Sequence, residues 1–418
     1  MNMPPPPLSS SAPLGEILLA ETAIRIELPP SKHRLAVERY GAMRKHIERQ
    51  SSPLYERVGY FYPQGSMAIR ATIQSRKRGD GFDIDIIAEL LGTSSMSPAQ
   101  VLDLLFEAMN GPVGSLYHGK VERQTRCVTV YYDDGMHLDI TPSQLLNEAN
   151  PRYSNIFHAK PEEPTSKHKR FPMNTWAFCE WFNLLTPADI DFAKAYGQRV
   201  RTWDRALIKA EAEVKEVPAH STTEGEKSTS VVALQLMKRN RNIRYSPRKN
   251  ARMPPSVLLA KFAADNSKPS ASISETLDAL SFAVLIELEV AEAKGELLKV
   301  ENPKCQGEWF TDRWPEDRAA QRTYIEDLKL FRKQLTALMS ANYPLDQKRD
   351  LLTAMFGEGP AEAVVKDYAE RLGKSVQTGA RSVAPSGRII PASAAAIAAV
   401  SPAMAQPRGH TFFGKPWK

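Results

Sequence analysis

Two aspartates separated by one residue, Asp83 and Asp85, lie in the run "GFDIDIIAEL", where Ile84 and Ile86 alternate with them and Phe82 precedes them. On a strand, side chains two apart share a face, so both carboxylates project together while the apolar residues turn to a core. Two like charges on one face repel, and divalent cations are the usual compensation; a pair of such ions drives nucleotidyl transfer. Asp139 in "MHLDITPS" supplies a third carboxylate, on a strand that can lie beside the first. Upstream, Gly65-Ser66 forms a turn whose backbone N–H groups and hydroxyl can hold phosphate, with Gln64 next to it. An Asp-x-Asp pair alone is more often two solvated acids. The combination with Gly65-Ser66 and Asp139 is what points to a site.

Elements that must position these groups follow from periodicity. Residues 31–50 carry Leu35, Val37, Tyr40, Met43 and Ile47 near helical spacing, and Ser97-Pro98 opens a helix over 97–110. Residues 127–132 and 136–140 read as two strands joined by a tight turn at Asp134-Gly135. The first part of the chain is therefore expected to be α+β, with helices on a small, mainly antiparallel sheet. Beyond Pro172 the pattern is helical at 174–185, 229–238, 255–264, 273–293 and 318–342. The division expected is a mobile 1–14, a catalytic lobe 15–172, a helical lobe 173–375 and a low-complexity tail 376–418, with the site between the lobes. The polar segment 217–229 reads as a loop.

At 418 residues, with 42% hydrophobic and 25% charged residues, the chain has an ordinary globular composition, which excludes collagen-like and wholly disordered classes. Fifty-five basic against 48 acidic residues gives +7, a mild preference for anionic partners. The charge is clustered: Lys238, Arg239, Arg241, Arg244, Arg248, Lys249 and Arg252 run without an acid, and read either as a triphosphate or RNA surface or as a solvated face. Cys127, Cys179 and Cys305 have no zinc or redox spacing, so no structural zinc is expected and a reducing cytoplasm fits. The start lacks the basic region of a secretory signal, and the apolar run 392–400 is too short to span a bilayer, so no membrane association is expected. Trp176, Cys179 and Trp181 read as core on a helix, and His137 as a packed or supporting residue on the Asp139 face.

Gly65-Ser66, the framed Asp83-x-Asp85 and Asp139 together resemble the nucleotidyltransferase superfamily that includes DNA polymerase beta. More narrowly, "YPQGSMAI", "GFDIDIIAEL" and "MHLDITPS" resemble the bacterial cyclic oligonucleotide synthases (cGAS/DncV-like nucleotidyltransferases), relatives of animal cyclic GMP-AMP synthase and oligoadenylate synthetases. The likeness continues in "ALQLMKRNRN", "PPSVLLAKFAAD" and "VENPKCQGEWFTDRW", so it covers about residues 30–340. Two features depart from the pattern: a long spacer before Asp83 carrying Arg76-Lys77-Arg78, and Arg70 where such enzymes often have Gly.

The resemblance implies that Asp83 and Asp85 bind two Mg²⁺ ions, replaceable by Mn²⁺, and that Asp139 binds one of them and serves as general base. It implies that Gly65 and Ser66 hold the β- and γ-phosphates with Gln64 nearby, and that Lys238, at the end of a helix, and Ser256, opening the next, contact phosphate and base. On residue type alone those two are equally a surface lysine and an N-cap serine. Asn302, Glu308 and Trp314 match a family segment with a structural role. The implied activity is synthesis of a cyclic di- or trinucleotide from ATP, GTP or other NTPs, a second messenger that activates a separate effector in bacterial antiphage (CBASS-type) defence. An accessory protein could bind the C-terminal tail; DNA activation is not expected without a zinc insertion. The alternatives are a transferase of the same fold acting on RNA ends, tRNA or protein, and an inactive nucleotide-binding partner.

Overall fold

In a computed structural model of the chain, the described residues are 12–28, 30–74, 83–150, 152–208, 227–383 and 389–391. Arg76–Arg78, Phe82, most of the 217–229 loop and the end of the tail lie outside them. The chain divides into two compact units, the first ending at Pro360.

The first unit opens with α1 (Leu14–Ile26) and α2 (Pro30–Ile47), then β1 (Val58–Pro63), the single turn α3 (Gly65–Ala68), β2 (Asp83–Leu90) and α4 (Pro98–Asn110). The strands β3 (Val121–Arg123), β4 (Val128–Tyr131), β5 (His137–Leu145), β6 (Ser154–His158) and β7 (Lys169–Met173) complete a seven-stranded sheet. Its order is β1-β2-β5-β4-β3, with β6 pairing β5 further along and β7 outside it. The sheet is antiparallel except at its centre, where β2 and β5 run parallel. The α+β expectation therefore holds, with one parallel pair inside it.

The local signals work as the residues dictate. Asp134-Gly135 makes the β4–β5 turn: Gly135 has φ 84°, Tyr132 N–H donates to Met136 O at 2.9 Å, and Asp134 is pinned by Arg39 at 2.7 Å. Ser97 and Gln100 form a reciprocal capping box on α4. One face of the sheet packs Ile84, Ile86, Leu138 and Ile140 against Met43 and Ile47 of α2 and Leu102 and Leu105 of α4. Within α2 the buried positions are Ala36, Met43 and Ile47, while Leu35 and Val37 are only half-buried. The opposite face holds a smaller cluster of Tyr62, Ile87 and Met173.

After the sheet come α5 (Thr175–Leu185), α6 (Ile190–Ile208), α7 (Thr229–Tyr245), α8 (Ser256–Asp265) and α9 (Ile273–Ala293). A short hairpin of β8 (Glu301–Asn302) and β9 (Cys305–Trp309) precedes α10 (Arg318–Met339), α11 (Leu345–Phe356) and α12 (Glu358–Gln377), which crosses into the second unit. That unit also contains β10 (Arg381–Val383) paired with β11 (Ile389–Pro391), in the stretch expected to be a tail. Among the described residues no helix is long and apolar enough to cross a membrane.

Two readings of the helices need correction. The helix expected over 229–238 runs to Tyr245, so Lys238 stands in its middle and not at its end. It is buried all round from Thr229 to Arg241, so no amphipathic stripe marks where it stops. On α5 the fully buried pair is Phe178 and Phe182, one turn apart, while Trp176, Cys179 and Trp181 are half-buried. Replacing Leu138, which is fully buried on the face opposite the aspartates, tests the packing of this sheet. Leu138→Ala should cost about 2–5 kcal/mol in urea denaturation; a loss near zero would show that β5 is not packed as described.

Candidate functional site

Parallel pairing of β2 with β5 puts Asp83 opposite His137 and Asp85 opposite Asp139. Asp139 in turn stands opposite Thr129 of β4. Thus one interstrand register sets the three carboxylates on neighbouring positions of two strands, with the apolar side chains between them directed into the core.

Two of the three carboxylates have a protein partner. Asp83 Oδ1 lies 2.6 Å from His137 Nε2, and Thr129 Oγ1 donates to Asp139 Oδ1. The Asp85 carboxylate packs close against Gly65, whose φ is 59°; a Cβ built there would stand 2.7 Å from Asp85 Oδ2. Gln64 N–H donates to Asp85 O at 2.8 Å, so the Gly-Ser turn is tied directly to the strand that carries the acids. Burial pushes the Asp85 carboxyl well above the usual range, Asp139 and Asp83 push it further, and Lys238 and His137 oppose them. His137, read from sequence as a packed or supporting residue, is thus in direct contact with the Asp83 carboxylate.

Lys238 is the cation of this site. Only 5% exposed, its Nζ donates to Ser66 Oγ and to Ala71 O, both at 2.7 Å, and burial lowers its pKa, with Arg241 adding to the effect. The adjoining Gln235 donates to Thr72 O at 3.0 Å, so α7 grips the chain just beyond α3 at two points. Arg239 and Arg241 are buried too; Arg239 donates to Phe356 O, and Arg241 to Pro254 O and Ser256 Oγ. The part of the basic cluster from 238 to 241 is therefore neither a solvated face nor an RNA surface: its charges are spent on backbone oxygens and on the site. Ser256 is the first residue of α8, with Pro255 as cap, and its hydroxyl makes no capping bond.

A cavity of about 490 Å³ joins these groups, a size suited to a small-molecule ligand. Gln64, Gly65, Ser66, Asp83 and Asp85 line it from the sheet side, and Lys238 and Ser256 from the helices. Asp139 is outside the lining, one strand away. Sequence reasoning missed Arg241, Asn242, Thr175, Cys179 and Glu308, which also line it. Cys179 was read as core, yet its sulfur meets the Gly65 backbone, and burial pushes the thiol up to about 12, which keeps it unreactive. Glu308 accepts from Asn174 N at 2.8 Å and Asn302 Nδ2 at 2.7 Å, fixing the start of α5 beside the turn; Trp314 is wholly buried. The run of basic residues was a signal for Arg241, and the resemblance gave Glu308 only a structural role and Asn242 none.

Arg70 adopts φ 58°, the left-handed region that glycine occupies most readily. Among the described residues no three His, Cys, Asp or Glu side chains are gathered into a ready ion cage. The donor chemistry nonetheless fits a divalent cation: the acids are hard oxygen ligands, Asp139 and Asp83 raise the proton affinity of Asp85, and Mg²⁺ sites are commonly completed by substrate phosphates and water. Gly65→Ala should cost about 1–2 kcal/mol from the left-handed backbone alone, read by chemical denaturation; an unchanged midpoint would show that the turn relaxes freely away from Asp85.

Residues 19–158 match the model of the Second Messenger Oligonucleotide or Dinucleotide Synthetase domain. Over 404 residues the chain is 40% identical to the cyclic dinucleotide synthase CdnG of Bradyrhizobium diazoefficiens, spanning 96% of this chain and 94% of that protein. The solved structure of that CdnG in complex with GTP superposes with a TM-score of 0.72, covering 85% of this chain and 99% of the other. A c-di-GMP synthase of Roseivirga ehrenbergii is 22% identical over 311 residues, 74% of this chain and 75% of that one.

Proposed function

The chain belongs to the bacterial cyclic oligonucleotide synthases, the cGAS/DncV-like nucleotidyltransferases, and from that premise we propose that it joins NTPs into a cyclic di- or trinucleotide second messenger with release of pyrophosphate. The observation that carries this reading is the register that sets Asp85 beside Asp139, with Asp83 next on the strand, facing a Gly-Ser turn held by Lys238.

Asp83 and Asp85 would hold two Mg²⁺ ions and Asp139 would share one of them; when bound, such ions neutralise phosphate charge and lower the pKa of the attacking hydroxyl. The residues themselves divide the remaining work. Ser66 Oγ accepts from Lys238, which leaves its own hydroxyl hydrogen to donate to a β- or γ-phosphate oxygen. The Gly65 turn lets the phosphates approach the backbone, with Gln64 beside it. Asp139 takes the proton of the ribose hydroxyl that attacks the α-phosphate, and pyrophosphate leaves in line. Catalysis is mostly positioning and charge compensation, so the buried lysine and the fixed turn matter as much as the acids. A linear intermediate then rebinds turned around, and the same site closes the ring.

The product acts on a separate effector in antiphage signalling, and an accessory protein binds the C-terminal tail. With Lys238, Arg239 and Arg241 buried, an RNA-directed transferase has no surface in that part of the chain to support it.

Incubation of the full chain with labelled NTPs and Mg²⁺, followed by phosphatase, should leave a small resistant product. A labelled RNA or protein band, or no product, would overturn the reading. Asp83→Asn with Asp85→Asn should abolish the product, and Asp139→Asn should lower kcat by about 10²–10⁴; retained turnover in either would refute the assigned roles. Lys238→Met should raise KM for NTP more than it lowers kcat, in steady-state assays of pyrophosphate release.

A further inference from the structure

Helix α9 buries Leu277, Leu280, Val284 and Leu288 against its neighbours, yet its opposite face is apolar too. Phe282, Ile286 and Val290, four residues apart, stand 48%, 39% and 44% exposed. Half-buried Ala279 and Ala283 and exposed Ala293 extend the stripe between and beyond them. At 1.5 Å per residue it runs for about 21 Å along the helix. A single exposed apolar residue is ordinary, whereas a contiguous apolar stripe marks an interaction surface. The charges beside it are already matched within the chain: Asp278 pairs with Arg332, Glu289 with Lys329, and Glu292 with Arg318 and Arg322. Among the described residues, none of α9 lines the cavity that holds Asp83 and Asp85, so the nucleotide site accounts for none of this face.

We infer that a second copy of the chain docks on this face, α9 against α9 in antiparallel sense, about a twofold axis at Ile286. An isologous contact needs a patch that complements itself, and the stripe does so about that residue. Phe282 and Val290 lie four positions to either side of Ile286, and Ala279 and Ala293 lie seven to either side. In antiparallel register Phe282 therefore faces Val290 across the axis, Ala279 faces Ala293, and Ile286 meets its own copy. The ends agree in charge. Exposed Glu275 precedes the stripe and exposed Lys294 follows it, so antiparallel pairing sets acid near base at both ends and each helix N-terminus beside a C-terminus. A parallel pair would set like charge against like. The contact is thus apolar in its middle and charge-matched at its ends, which is what a second copy supplies.

The test is sedimentation equilibrium of the full chain between about 1 and 100 µM, the range suited to an interface of one helix face. The mass should rise with concentration from that of one chain toward that of two. Ile286→Lys, which sets two ammonium groups on the axis, should hold the mass at one chain throughout, with an unchanged far-ultraviolet dichroism spectrum. Ile286→Cys gives an arm that needs no loss of association: with oxidised glutathione as the two-electron acceptor, two copies should join through a disulfide at that position. Wild type, whose Cys127 and Cys179 are half-buried and Cys305 buried, should stay single under the same treatment. A wild-type mass of one chain at every concentration would leave the face to a different protein and overturn the pairing. A dimer that survives Ile286→Lys would lie on another surface, and a dimer without the Ile286→Cys cross-link would not have its axis there; either result overturns the inference. These readouts need no nucleotide, so they stand apart from the proposed activity.

Discussion

The repulsion among Asp83, Asp85 and Asp139 is the constraint around which the first unit is built. Parallel pairing of β2 and β5 forces two of these carboxylates into register on adjacent strands, in partly buried surroundings where like charges interact strongly. Uncompensated, such a group would bind protons and become neutral. The protein answers locally with His137 on Asp83 and Thr129 on Asp139, and from a distance with Lys238. These compensations are partial, since Asp85 remains displaced upward, and an incomplete balance of that kind is what a site needs if a cationic ligand is to complete it.

Lys238 links this charge balance to the architecture. Burying an ammonium is costly unless its protons find acceptors, and its bonds to Ser66 and Ala71 satisfy two of the three while fixing the Gly-Ser turn against α7. The neighbouring Arg239 and Asn240 close carbonyls at the end of α11, Phe356 O and Met355 O. One short segment of α7 thus serves the sheet on one side and the helices on the other. A segment buried on every face is the physical means: it has no solvent side on which to place Lys238, Arg239, Asn240 and Arg241, and each of these is paired with an oxygen.

This explains what was legible beforehand. The Asp-x-Asp strand, the Asp134-Gly135 turn and the Ser97 capping box are set by residues within a few positions of one another, and local periodicity and turn chemistry are enough to read them. The strand partners of β2, the outer strands β6 and β7 and the burial of Lys238 and Arg241 depend on contacts between different elements of the chain. A lysine in a run with six other basic residues reads as surface because the oxygens that satisfy it lie in a different element. Family resemblance named Lys238 and Ser256 without their environment, and it assigned no role to Asn242, whose carbonyl oxygen accepts from Arg241.

The central claim is that the three aspartates act as one cation-binding unit despite being spread over two strands. Counting bound Mn²⁺ by electron paramagnetic resonance, in the presence of a non-hydrolysable NTP, measures that directly. The account predicts two ions per chain, with at least one lost in Asp139→Asn although Asp83 and Asp85 are intact. An undiminished count in that variant would contradict it.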